Sequence, residues 1–165
     1  MRSRRSGHRG QALIEMALML PLLLAILVGI FEVGPSVNDH AAVAQATEQA
    51  VRVASQLGSS SSVSETAADQ QIVSTALAGV ANLSQLSVQE IDIYQPSSSD
   101  GSYSNGNPED VYNGSGQQVS LGYPMSDRSQ ASPNEAWIAV QIQWQYHLIF
   151  APGNVSHHCA TVSGH

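Results

Sequence analysis

Met16 to Phe31 is a run of sixteen residues without a charge, filled almost wholly by Leu, Ile, Met, Val, Ala and Phe. As a helix it extends about 24 Å at about 1.5 Å per residue, a little less than the roughly 30 Å hydrocarbon core of a bilayer. Glu15 and Glu32 bracket the run, so spanning draws on the flanking turns or on local thinning of the bilayer. Pro21 lies inside it. There it removes one helical hydrogen bond and is expected to bend the helix, which membrane helices tolerate when neighbours satisfy the freed carbonyl.

Two ordinary readings compete for this stretch. A secretory signal would pair the basic residues Arg2, Arg4, Arg5, His8 and Arg9 with an apolar segment and then a small-residue cleavage site. Phe31-Glu32-Val33-Gly34-Pro35 offers no clean site of that kind. A single-span anchor would hold the arginines in the cytoplasm and place the long C-terminal part outside. Neither reading accounts for Glu15. A carboxylate in an apolar helix costs about 2–3 kcal/mol near the bilayer centre and less toward the interface, so it persists most easily beside a positive partner. A free α-amino group supplies one, if the chain is cut after Gly10 and a neighbouring copy presents Gln11 as its new N-terminus. Glycine, with no side chain to exclude, suits a peptidase cleft.

Gly10, four residues, Glu15 and then an apolar helix resembles the class III signal of type IV prepilins. The longer string from Gly10-Gln11-Ala12-Leu13-Ile14-Glu15 through Met16-Ala17-Leu18-Met19-Leu20-Pro21 to Leu24 resembles the TadE-like family, minor pilins or pseudopilins of the tight-adherence (Tad, Flp) pilus. Met16 stands where such proteins often carry an aromatic. The resemblance implies removal of Met1–Gly10 by a prepilin peptidase and an assembly or register role for Glu15. It also implies a membrane location and, as partners, other pilins or pseudopilins and the inner-membrane assembly platform.

The formal charge of −7 conceals an asymmetry. Four of the six basic residues precede Gln11, only Arg52 and Arg128 follow it, there is no lysine, and all thirteen carboxylates lie from Glu15 onward. A chain starting at Gln11 therefore sets two cations against thirteen carboxylates, a formal −11. That argues against nucleic acid or anionic lipid as a partner of the outer part. Cys159 is the only cysteine, so no intrachain disulfide forms, and a lone thiol near the C-terminus reads as unpaired.

The expected architecture is α+β: a long N-terminal transmembrane and stalk helix, a second helix, and a small antiparallel sheet with a long irregular loop. The boundaries expected are a leader at 1–10, a membrane helix at 11–34, a stalk helix at 35–57, an outer domain at 58–155 and a flexible tail at 156–165. Pro35, after Gly34, predicts a kink or short break where the helix leaves the membrane. Val43, Ala46, Ala50, Val53 and Leu57 then form a stripe of small apolar residues at helical spacing, read as core packing, and Glu48 pairs with Arg52 one turn on. Gly58 and the serines after it stop the helix. Ser64 is placed to cap a second helix with Ala68, Ile72, Ala76 and Val80 on one side. Leu86 to Tyr94 reads as a strand. From Val140 the alternation of Ile142, Trp144, Tyr146 and Leu148 with Gln141, Gln143, Gln145 and His147 predicts a central strand with one face on the helices.

Between Pro96 and Asn134 the chain is rich in Ser, Gly, Asn, Asp and Pro, with Tyr103, Tyr112 and Tyr123 spaced through it. It reads as a long loop, with the tyrosines capping strands or offering an adhesive surface. Asp100, Asn105, Asn107, Glu109 and Asp110 do not follow calcium-loop spacing. His157-His158-Cys159 cannot turn three adjacent side chains onto one ion. The Asn-x-Ser triplets at Asn82, Asn113 and Asn154 are of a kind that chance supplies in a serine-rich chain. No nucleophile elbow, P-loop or zinc-protease motif is present, so no enzyme, metal or cofactor is expected. A membrane-anchored binding domain that never enters a filament, and a secreted domain cut near Gly34, remain as rival readings.

Overall fold

Proline at two positions does not interrupt the longest element of this chain. The computed structural model describes residues 7–58, 63–97, 102–104, 106–128, 137–150 and 153–163. Helix α1 runs from Gly7 to Gly58 with Pro21 and Pro35 inside it. The break expected at Pro35 is absent. Proline disfavours helical geometry before it partly through a clash with the preceding Cβ, and the preceding residue here is Gly34, which has none. The chain divides into two units, Met1–Val37 and Asn38–His165.

In the first unit the apolar residues of α1 lie open: Leu13, Leu18, Ile26, Ile30 and Phe31 are each more than half exposed. In the second unit the same helix is buried on one side. Val43, Ala46, Ala50, Val51 and Ala54 are at most 3% exposed, with Val53 and Leu57 packed beside them. The stripe is therefore core packing within the outer domain, as its spacing predicts. Glu48 and Arg52 form the expected surface pair at 2.9 Å.

Helix α2 spans Glu65–Val80 and buries Ala68, Asp69, Ile72, Val73, Ala76 and Val80. Ser64 holds the N-cap position in extended geometry, yet its hydroxyl makes no capping bond. Its carbonyl starts the helical ladder by accepting from the Ala68 amide at 2.9 Å. The two helices approach closely: a Cβ added at Gly79 would lie 2.5 Å from the Ala46 Cβ.

Among the described residues of the domain, five antiparallel strands form one sheet: β1 (Leu86–Tyr94), β2 (Glu109–Asn113), β3 (Gln118–Ser120), β4 (Ile138–His147) and β5 (Asn154–Ser163), in the order β3-β2-β1-β4-β5. A short helix, α3 (Met125–Arg128), precedes β4. β1 pairs with both β2 and β4, with Ile91 opposite Tyr112 and Ile142. Ile91, Ile93, Tyr112, Ile138, Val140, Ile142, Trp144 and Tyr146 join the helical residues in one core. The glutamines of β4 face the other way and are half-buried. The fold is α+β, and the sheet's inner face carries the helices.

Two expectations are corrected. The stretch 96–134, read as one long loop, contains β2, β3 and α3. Its strands are short and polar, and what makes them is a turn: Asn113 Oδ1 accepts from the Ser115 and Gln117 amides at 3.0 and 2.9 Å, and Gly116 takes φ +76°. Such side chain-to-backbone bonds define an Asx-type turn. The expected flexible tail at 156–165 is instead mostly strand. β5 pairs with β4 along ten positions, from His147↔Asn154 to Ile138↔Ser163. The hydrogen-bonding edge of an apolar strand organises a partner that is itself only weakly apolar.

Candidate functional site

At the N-terminal end, Gly10, Gln11 and Glu15 lie on consecutive turns of α1, all exposed. Gln11 Nε2 donates to Glu15 Oε1 at 3.0 Å. The amide is neutral, so this hydrogen bond brings no counter-charge to the carboxylate. A Cβ added at Gly10 would meet nothing within 4 Å. Among the described residues one helix is long and apolar enough to cross a membrane, and its most apolar stretch is unburied. Exposed apolar area of this extent marks a surface meant for lipid or for other apolar helices.

On the inner face of the outer domain lies a polar cluster that no spacing in the sequence announces. Arg128 is 2% exposed. Its guanidinium donates to both Asp69 carboxylate oxygens, Nη2 at 3.3 Å from Oδ2, and also to Asp110 Oδ2. Nε donates to the Tyr123 carbonyl at 2.8 Å, and the guanidinium carbon sits 4.8 Å from the centre of the Tyr123 ring. Asp110 Oδ1 accepts from the Gly122 and Tyr123 amides at 2.6 and 2.9 Å, and the Tyr112 hydroxyl donates to Asp69 Oδ2 at 3.0 Å. Burial pushes the Asp110 carboxyl up to about 6 against the pull of those amides and of Arg128. Burial also raises the Tyr123 hydroxyl to about 12. Glu65, Asp69 and Asp110 bring oxygens together in metal-like fashion, but a guanidinium already occupies that space. This cluster ties α2, β2 and α3 together. Tyr112 and Tyr123 are buried in it or beside it, so they offer no adhesive surface; Tyr103 remains exposed at 42%.

The outer face of the sheet carries a cavity of about 240 Å³ lined by Glu90, Asp92, Tyr103, Glu109, Val111, Gln141 and Gln143. The register explains the grouping: Val111 and Gln141 flank Asp92 on either side, and Gln143 stands opposite Glu90. Gln143 Nε2 donates to Glu90 Oε1 at 3.0 Å and to Asp92 Oδ2 at 2.9 Å.

The other residues singled out in the sequence are dispersed. Asp100 and Asn105 lie outside the described residues. Asn107 donates to the Gln95 carbonyl and Ser97 Oγ at 2.7 and 3.0 Å. Glu109 and Asp110 are adjacent on β2 and serve opposite faces. His157 stacks on Trp144 with ring centres 4.7 Å apart, and His40 of α1 lies 5.9 Å from the same indole. His158 and Cys159 are placed by register alone, opposite Gln143 and Ile142.

No curated protein and no solved structure matches this chain. Over residues 10–52, which hold Gly10, Glu15 and the whole apolar run, the chain matches the model of the family described as TadE-like protein.

Proposed function

We propose that this chain is a minor pilin-like structural component of Tad pilus assembly, with its leader removed after Gly10 by a prepilin peptidase. The observation that carries the reading is a single one. The cut-ready glycine, the glutamate five residues on and an uncovered apolar helix all fall inside the family match. Residues 11–34 hold the chain in the cytoplasmic membrane before assembly and pack among other pilin helices after it, with Pro21 as a point of bending. The four arginines of the leader favour a cytoplasmic N-terminus, which puts residues 38–165 outside, where they prime the filament or sit at its tip. Glu15 neutralises the α-amino group of Gln11 on a neighbouring subunit and sets helix register. Its present partner, the Gln11 amide of its own chain, is neutral and supplies no counter-charge. The partners are thus the peptidase, other pilins or pseudopilins and the assembly platform.

The deciding measurement is mass spectrometry of the N-terminus of protein recovered from its native membrane. A start at Gln11 is expected, and Glu15→Gln is expected to leave cleavage intact while abolishing incorporation into pili. An intact Met1 would rule out the pilin reading in favour of a plain anchored domain.

A further inference from the structure

From Ala136 to His165 the chain has no Asp, Glu, Lys or Arg, although thirteen carboxylates precede it. Within this stretch the connection between β4 and β5 is apolar: Leu148, Ile149 and Phe150, followed in sequence by Ala151 and Pro152. Leu148 packs against the core, and its amide donates to the Gly153 carbonyl at 3.4 Å. That contact closes the base of the hairpin. Ile149 and Phe150 stand 44% and 59% exposed beyond it, and Val155 on β5 is 41% exposed. Exposed apolar residues are ordinary when scattered singly, but here they are gathered at one turn.

Contacts inside the outer domain fix which end this turn occupies. The His40 ring lies 5.9 Å from Trp144 and 6.2 Å from His157, so α1 enters the domain beside the last residues of β4 and the first of β5. The end of α2 is there too: Gly79 approaches Ala46, and the Gln85 carbonyl accepts from the His147 amide at 2.8 Å. At the opposite end Asp69, near the start of α2, holds Arg128, and the Tyr123 hydroxyl donates to the Trp137 carbonyl just before β4. The turn after β4 therefore lies at the end where the chain enters from residue 37. Nine residues separate Phe31, the last of the uncharged run, from His40, about 14 Å of helix at about 1.5 Å each. Six separate Trp144 from Phe150, enough to cover that distance at about 3.3 Å each.

We infer that Ile149 and Phe150 seat in the interfacial layer of the bilayer that holds the apolar run, giving the outer domain a second hold on the membrane. The inference rests on the membrane placement of residues 11–34 proposed above and on nothing about leader cleavage. Connectivity selects lipid as the occupant, since this end of the domain is tied within reach of it. Charge agrees: the hairpin carries no carboxylate to be repelled by lipid phosphates, and Asp39 at the same end is only 6% exposed. A loop cannot satisfy its backbone inside hydrocarbon, so the seat is shallow, where water remains. Pro152 brings no amide N–H to desolvate. Two apolar side chains hold a free protein to a bilayer only weakly, as even a single acyl chain does. On a domain already anchored the contact is intramolecular, and a weak affinity suffices.

The test is fluorescence quenching by nitroxide lipids on the full chain reconstituted in phosphatidylcholine vesicles. In a Cys159→Ser background, one environment-sensitive label is placed at Ile149→Cys, at Tyr103→Cys or at Leu20→Cys. Tyr103 is the control from the opposite end, beside Tyr94 and 42% exposed. The label at 149 is expected to shift to the blue and to be quenched by a nitroxide near the headgroup, the label at 103 to do neither, and the label at 20 to be quenched by a deep nitroxide. Phe150→Asp is expected to cut the quenched population at 149 at least about tenfold, the equivalent of about 1.4 kcal/mol, and Phe150→Trp to preserve it, both with unchanged circular dichroism. Quenching at 149 no greater than at 103, or quenching that survives Phe150→Asp, overturns the assignment. So does a blue shift without lipid quenching that fades as the protein is diluted into more lipid, which would give the turn to another protein chain. Absence of deep quenching at 20 would remove the membrane placement and this inference together, whereas deep quenching at 20 with none at 149 would remove this inference alone.

Discussion

Arg128 is one residue on which three elements depend. It reaches Asp69 of α2, Asp110 of β2 and the Tyr123 carbonyl from a helix of four residues. Removing one member of a buried ionic group leaves the other charges stranded, typically at about 3–5 kcal/mol. Arg128→Met is therefore expected to lower the denaturant midpoint of the outer domain by about that much in free energy. Asp69→Asn/Asp110→Asn in the same background should recover part of it, by removing the uncompensated charges. Asp92 makes a different prediction, about pH. Its folded carboxyl, held at about 7 against an ordinary value near 3.8, binds a proton that the unfolded chain has released. Stability tied to this proton is full below about pH 4 and is lost as pH rises through about 7. The wild-type chain should thus lose about 2 kcal/mol between pH 5 and pH 8. That is less than the full linkage value of about 1.4 kcal/mol for each pH unit over which only the folded chain holds the proton, because water reaching the cavity screens the charge. Asp92→Asn should flatten that profile, and an unchanged slope would show the proton resides elsewhere. Neither Arg128 nor Asp92 stands out in the sequence. A lone arginine in a polar stretch and an aspartate within an alternating strand acquire meaning only from partners 59 and 51 residues away.

Elements whose apolar period is internal to the segment were legible: the second half of α1, then α2, β1 and β4 all follow from spacing alone. Those that depend on a neighbour were not. β2 and β3 are polar strands held by a turn and by β1, and β5 exists because β4 offers it a ladder. The helix through Pro35 escapes a reading by residue type for a local reason, the glycine before it. At this scale the contact between α1 and α2 is the sharpest test. Gly79→Ala ought to gain about 1 kcal/mol in helix propensity. The new Cβ, however, would lie 2.5 Å from the Ala46 Cβ and 3.1 Å from its Cα, atoms that no rotamer change can move. Overpacking of that kind costs about 1–3 kcal/mol, so a net destabilisation is expected in urea unfolding. Ala46→Gly in combination should restore most of it. A stabilising Gly79→Ala would mean the helices separate at little cost.

As a whole the molecule joins two regimes that obey opposite rules. Residues 10–37 leave their apolar side chains outward, and none of them belongs to the core of the outer domain, whose first member is Val43. The family match ends at residue 52, inside α1, so the chemistry of recognition is legible in the sequence, while the described helices and strands that follow α1 take their meaning from pairing and burial. This division predicts what can be removed. A chain beginning at Asn38 retains every core residue. Asn38 is a favourable N-cap, and Asp39 in the first turn complements the helix dipole. That fragment is expected to be soluble without detergent and to unfold cooperatively, within about 1 kcal/mol of the outer domain of the full chain, the usual scale of a helix cap. A chain beginning at Gly58 is expected to fail. It lacks Val43, Ala46, Ala50, Val51 and Ala54, and with them the apolar cover that the inner face of the sheet shares with α2. Circular dichroism and urea titration of the two fragments separate the cases. If the shorter one folds, the second half of α1 belongs to the stalk rather than to the domain, and the small-residue stripe would be free to pack against other chains.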